Sequence, residues 1–297
     1  MPNRSLRAAA LALLTAAGLA GCTATASVTG DRVAVITAFY PLQFVTERVG
    51  GDAVSVDNLT KPGAEPHDLE LSPKQVAQVT DADLAVYLKG FQPAVDDAVG
   101  QRDAGKNLDV ASVQPLNAAP PGEEGGLDPH VWLDPVRLGA IADAVATRLG
   151  EVDPTHAADY TGRAAALRAD LGKLDAEYAA GLANCERHEI VTSHAAFGYL
   201  AARYHLTQVA LSGLTPEQEP SSQRLATVVE QARAHHATTI FFETLVSPKV
   251  AEVIAKEVGA KTAVLDPIEG LEPGDSGDYL SVMRSNLSTL RTALGCS

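Results

Sequence analysis

Basic residues are few in this chain: 23 lysines and arginines stand against 37 aspartates and glutamates in 297 residues, a formal charge of −14 at pH 7. That balance argues against a nucleic-acid partner and would draw cations weakly. Past the N-terminus no run is apolar enough to read as a membrane span. No HExxH pair occurs, which removes the helix-borne arrangement of metal ligands and paired base used by many zinc hydrolases. Aromatic residues amount to 5%, with one tryptophan, Trp132. It lies in Asp128–Pro135, DPHVWLDP, where two Asp-Pro pairs stiffen the backbone around His130.

The first residues carry Arg4 and Arg7 ahead of an apolar run from Ala8 to Ala20, too short to cross a bilayer and suited to an export signal. The run ends in Leu19-Ala20-Gly21-Cys22, which resembles the lipobox of bacterial lipoproteins; an ordinary cleaved signal is the alternative. The expectation is a signal peptide over 1–21, a diacylated Cys22 and a polar tether over 22–31. Loss of Arg4 and Arg7 with the signal leaves 21 basic against 37 acidic residues, a formal −16. Cys185 and Cys296 then remain. In an oxidising compartment they form one disulfide, closing a 111-residue loop worth up to about 4–5 kcal/mol, or stay as two buried thiols.

Along the chain, short β-branched runs alternate with helical stretches. Arg32–Thr37, Ala53–Leu59, Asp83–Leu88 and Asn107–Ala111 read as strands, and Ser72-Pro73 as the N-cap and first residue of a helix. The second half repeats the style with Glu189–Ser193, Gln208–Leu211, Thr238–Glu243 and Thr262–Leu265, separated by helices at Ser222–Ala234 and Pro248–Val258. This order predicts an α/β protein of two lobes, each a parallel sheet with helices on both faces, spanning 32–153 and 184–297. From Thr155 to Leu182 there is no proline, and apolar residues recur every three or four positions from Ala157 to Leu182. A 28-residue helix would run about 42 Å, and a rigid spine over 154–183 joining the lobes suits it better than an isolated coiled coil.

Of the eight histidines, His67, His130 and His194 sit in proline-stiffened loops or at the carboxyl ends of strands, and Asp266 in Leu265-Asp-Pro267 does likewise. Ligands of open α/β sheets gather at that edge, so these four could share one crevice. Their gaps of 63, 64 and 72 residues exclude a local zinc finger. Three imidazoles and a carboxylate are a donor set that tetrahedral zinc accepts. His156, His188, His205, His235 and His236 read as structural or surface residues, with weak metal affinity the alternative for the His235-His236 pair.

The motifs GAEPHDLELSP, DPHVWLDP, TSHAAFGYLA, SGLTPEQEPSS, FFETLVSPK and LDPIEGL, in this order, resemble the zinc and manganese solute-binding proteins of ABC importers, the ZnuA/TroA cluster, over essentially the whole mature chain. The resemblance implies two Rossmann-like (β/α) lobes joined by one long backbone helix, with metal bound in the inter-lobe cleft and no enzymatic activity. It also implies delivery to an ABC permease driven by a cytoplasmic ATPase. Its ligands fall on His67, His130, His194 and Asp266, with Glu65 and Glu243 as neighbouring or alternate acids; within DPHVWLDP, Trp132 either packs beneath the loop and holds the His130 imidazole toward the cleft or only fills the core. Histidine in the third place is similar to zinc-type members, and imidazole suits zinc where added carboxylates favour manganese. The departure is Asn117–Gly126, which lacks the histidines that zinc-type members often carry there and keeps manganese open. The expected protein is therefore an extracytoplasmic, lipid-anchored monomer carrying Zn2+, with Mn2+ as the alternative cargo. A zinc hydrolase and a surface adhesin are the competing roles.

Overall fold

The computed structural model describes residues 32–119, 126–216, 219–274 and 276–297. The signal, Cys22 and the tether lie outside the described residues. Sheet one contains β1 (Val33–Thr37), β2 (Val54–Asn58), β3 (Leu84–Tyr87) and β4 (Asn107–Asp109), and sheet two β5 (Glu189–Thr192), β6 (Thr207–Ala210), β7 (Thr239–Phe242) and β8 (Lys261–Val264). All pairings are parallel, in the orders β2-β1-β3-β4 and β6-β5-β7-β8. The same order in both lobes, without visible sequence similarity between them, means each has its topological switch point between its first and third strands, where such sheets open a crevice.

The intervening helices are α1 (Tyr40–Gly50), α2 (Pro73–Asp81), α3 (Pro93–Val99), α4 (Pro135–Val152), α5 (Ala157–Gly181), α6 (Gly198–Arg203), α7 (Ser222–Ala234), α8 (Lys249–Val258) and α9 (Tyr279–Leu294). Ser72 and Gln75 form a reciprocal capping box on α2, with Pro73 in the first turn. Asp134 accepts hydrogen bonds from the backbone N–H groups of Val136 and Arg137, so it caps α4, with Pro135 in the first turn. That helix ends at Val152, where Pro154 disfavours a helical Asp153.

The spine is shorter than expected and has company. Its 25 residues span about 37 Å, after a single 3₁₀ turn at Pro154–His156. Tyr160, Ala164, Leu167, Leu171, Leu174 and Tyr178 form its buried stripe, and α4 packs along it. From the first lobe Arg48 pairs with Asp170 at 3.1 Å; from the second, the Tyr178 hydroxyl donates to the Met283 carbonyl at 2.6 Å. One apolar core runs from β1 to α9 through this helix pair, and a smaller one lies between α7, α8 and sheet two. Cys185, just past α5, is disulfide-bonded to Cys296 at the chain's end. Among the described residues no helix is long and apolar enough to cross a membrane.

Candidate metal centre

His67 lies in the loop after β2, His130 immediately before the 3₁₀ turn Val131–Leu133, and His194 two residues past the end of β5. The chain brings their side chains together although they are 63 and 64 residues apart. The fourth member of the group is Glu269, and all four ligand atoms lie within 4.8 Å of one another. Glu269 Oε1 is 3.0 Å from His130 Nε2, 3.2 Å from His194 Nε2 and 3.5 Å from His67 Nε2, and the Nε2 atoms of His130 and His194 are 3.4 Å apart. Zinc bonds of 2.0–2.1 Å in a tetrahedron put neighbouring ligands about 3.3–3.4 Å apart. Four of the six edges lie near that value, and the donor set suits one zinc ion.

Asp266, expected in the fourth place, does not join the group, and Glu269 corrects it. The Asp266 carboxylate turns back on its own loop, accepting from the Ile268 N–H at 2.7 Å and from the Thr244 hydroxyl at 3.3 Å. Ile268 has φ +58°, a left-handed conformation costly for a β-branched residue, and Glu269 follows this reversal into the group of imidazoles. Burial pushes Asp266 up to about 6, with Glu269 and Glu243 adding to the rise. A clue was present in LDPIEGL, which holds two acids, but spacing along the chain does not say which one the loop turns inward.

Carboxylates hold the far side of two rings. His130 Nδ1 lies 2.8 Å from Asp128 Oδ1, which also accepts the His130 N–H at 3.0 Å. His194 Nδ1 lies 2.8 Å from Glu243 Oε1, which also accepts from Ser193 Oγ at 2.8 Å. Fixing Nδ1 as the donor turns Nε2 with its lone pair toward the centre. Glu243 thus sits beside a ligand, whereas Glu65 Oε1 accepts the backbone N–H of His67 at 2.8 Å and braces the first loop. Sequence reasoning missed this use of Asp128, although an acid two residues before a histidine is a readable signal. Trp132 is buried against His130, ring centroids 5.2 Å apart, and Phe91 packs edge-on to His67 at 4.6 Å.

Burial would lower all three imidazoles. It prevails at His67, which falls below the ordinary histidine value. At His130 burial is outweighed by Asp128 and Glu269, and at His194 by Glu243 and Glu269, so both rise, His194 strongly. Glu269 faces an opposite balance: burial favours its neutral form, but His194, His130 and His67 hold it well below the ordinary glutamate value. Of the remaining histidines, His156 pairs with Asp153, and His235 lies 3.3 Å from Glu189.

Three imidazoles and a carboxylate gathered in one buried cluster make a donor set that can hold a divalent cation. Joined to the twin-sheet architecture, it defines a two-lobed solute-binding protein for a divalent cation. Residues 35–293 match the family "Zinc-uptake complex component A periplasmic". The chain is 36% identical to the high-affinity zinc uptake system protein ZnuA of Bacillus subtilis (strain 168) over 304 residues, covering 97% of this chain and 95% of that one. It is also 36% identical to the zinc-binding lipoprotein AdcA of Streptococcus pneumoniae (strain R6), matching 95% of this chain but only 59% of that longer protein. Among solved structures, the Zn(II)-bound ZnuA-like domain of AdcA from S. pneumoniae superposes with a TM-score of 0.77 at 37% identity, covering 89% of this chain and 99% of that one. The laminin-binding protein Lmb of Streptococcus agalactiae, described as an adhesin with metal-transporting activity, superposes at 0.80 and 34% identity, covering 89% and 99%. The chain belongs to the ZnuA family of solute-binding receptors.

Proposed function

We propose that this protein is a high-affinity extracytoplasmic receptor that binds Zn2+ and delivers it to an ABC-type permease for import. The observation that carries this reading is the convergence of the His67, His130 and His194 Nε2 atoms on Glu269 Oε1, at edges that zinc fits. His67, His130, His194 and Glu269 are the ligands; Asp128 and Glu243 orient two of them, and Glu65, Asp266 and Trp132 shape the loops. Three neutral imidazoles beside one carboxylate favour zinc over the more oxygen-rich sites of manganese. Cys22 anchors the mature monomer to the membrane, residues 22–31 form the tether, and α5 with its flanking turn links the lobes. The permease, driven by its cytoplasmic ATPase, takes the ion from the docked receptor.

The test is elemental analysis of protein purified without added metal, followed by zinc–manganese competition on the wild type and His194→Glu. The expected result is one zinc per chain, retained against equimolar manganese, with selectivity relaxed by the substitution. A wild type that keeps manganese against equimolar zinc overturns the assignment. In cells, deletion should lower zinc accumulation, and restoring the wild-type chain should recover it where the Cys22→Ala form does so poorly.

A further inference from the structure

We propose that Tyr199 is a positioning residue that locks His130 into the zinc site from the opposite lobe, acting with Gly198 through Asp128. The inference rests on the zinc-receptor reading and adds to it a structural coupling between two ligands. His130 belongs to the segment entering α4, whereas Tyr199 lies in α6, which opens four residues after His194. The Tyr199 hydroxyl donates to the Asp128 carbonyl at 2.9 Å and accepts the Asn117 N–H at 2.7 Å. Asp128 N–H donates in turn to the Asn117 carbonyl at 2.9 Å. One phenol therefore clamps both ends of the connection that leads into His130.

Two further contacts aim this clamp at the imidazole. The α6 backbone lies so close to Asp128 that a Cβ on Gly198 would fall 2.7 Å from Asp128 Oδ2. The other oxygen, Oδ1, is the one that takes both the His130 N–H and Nδ1. The Arg137 guanidinium stacks on the tyrosine ring, 5.0 Å from its centroid, and holds its orientation. Burial keeps the phenol above its ordinary value, so it remains a donor. The arrangement makes the direction of His130 depend on α6, the helix that continues from His194, so the two ligands share one frame.

The experiment measures zinc affinity and release by chelator competition in the wild type, Tyr199→Phe, His130→Ala and the double variant, with apo melting recorded for each. Loss of an outer partner typically costs metal sites about 10–100-fold, so Tyr199→Phe should bind about tenfold more weakly through faster release. If it acts through His130, it should change the affinity of His130→Ala by less than about twofold, whatever it does to melting. Gly198→Ala, which pushes on the same carboxylate, should behave alike and carries the cycle if Tyr199→Phe does not fold. Unchanged affinity in the single variant, or an equal loss on both backgrounds, overturns the proposal. A wild type that binds no zinc overturns the receptor reading itself, an outcome visible before any variant is compared.

Discussion

The indole Nε1 of Trp132 donates a hydrogen bond to the backbone carbonyl of Pro267 at 2.7 Å. Trp132 lies two residues after His130 and Pro267 two before Glu269, so one buried bond ties the loop of His130 to the loop of Glu269. The Tyr279 hydroxyl adds to the tie by donating to the Trp132 carbonyl at 2.6 Å.

Trp132→Phe keeps most of the ring packing against Phe39, Phe91 and His130 but removes the donor. Leaving the buried Pro267 carbonyl unpaired costs about 1–3 kcal/mol. The expected outcome is a lower apo melting temperature and weaker zinc binding together, read by calorimetry and chelator competition. Lower stability with wild-type affinity would reduce Trp132 to core filling.

Glu269→Gln and Asp266→Asn distinguish the two acids of the last motif. Removing the anionic ligand should cost more than the roughly 10–100-fold expected of an outer group, whereas Asp266→Asn should cost no more than that range. A larger zinc defect in Asp266→Asn would return the fourth place to Asp266. The same variant has a stability signature. Because burial lifts Asp266 to about 6 from 3.8, the unfolded chain gives up its proton first, and stability declines as pH rises through that window. Asp266→Asn should flatten the decline in apo unfolding between about pH 4 and 6.

Acidification should weaken zinc binding from above the ordinary histidine value of about 6.5, not from below it. His130 and His194 are raised in the apo protein, so they keep protons that zinc must displace. Calorimetry at pH 7 in buffers of different ionisation enthalpy should show proton release on binding. For the apo fold the sign is opposite: the raised imidazoles contribute stability that is complete below the unfolded value and fades as pH rises through the folded one. The stability gained on adding zinc should therefore grow with pH over the same range. Binding that is independent of pH from 5 to 8 would remove these two residues from the site.

Reducing the Cys185–Cys296 bond should lower the melting temperature, because the bond restrains 111 residues of the unfolded chain and the entropy model allows up to about 4–5 kcal/mol. Melting with and without reductant, compared with a Cys185→Ser, Cys296→Ser variant, measures it. Identical melting in all three would mean that the restraint contributes nothing.

Much of the architecture was legible because it is local. The α7 helix runs from Ser222 to Ala234 as expected, and the eight strands fall within a residue or two of their expected ends. β-branched runs, Ser-Pro and Asp-Pro starts and the alanine-rich periodicity all act within a turn or a strand. The pairing of α4 with α5 was not legible, because nothing in a helix's own periodicity names its neighbour.

At the site, His67, His130 and His194 stood out by their stiff settings and by a family resemblance, and the structure gathers their side chains. A shared crevice was expected from the strand-edge rule, but which acid completes the cluster was not readable, since that depends on how the loop after β8 turns. Asp266 caps its own loop, the chain reverses at Ile268 with a positive φ, and Glu269 lies among the imidazoles. The sequence by itself determined the element order and the donor types, because propensity, capping and side-chain chemistry belong to single residues and short segments. Only the tertiary structure decided which acid lies among the imidazoles and which groups orient the rings, because those depend on backbone reversals and on contacts such as Tyr199 with Asp128, 71 residues apart.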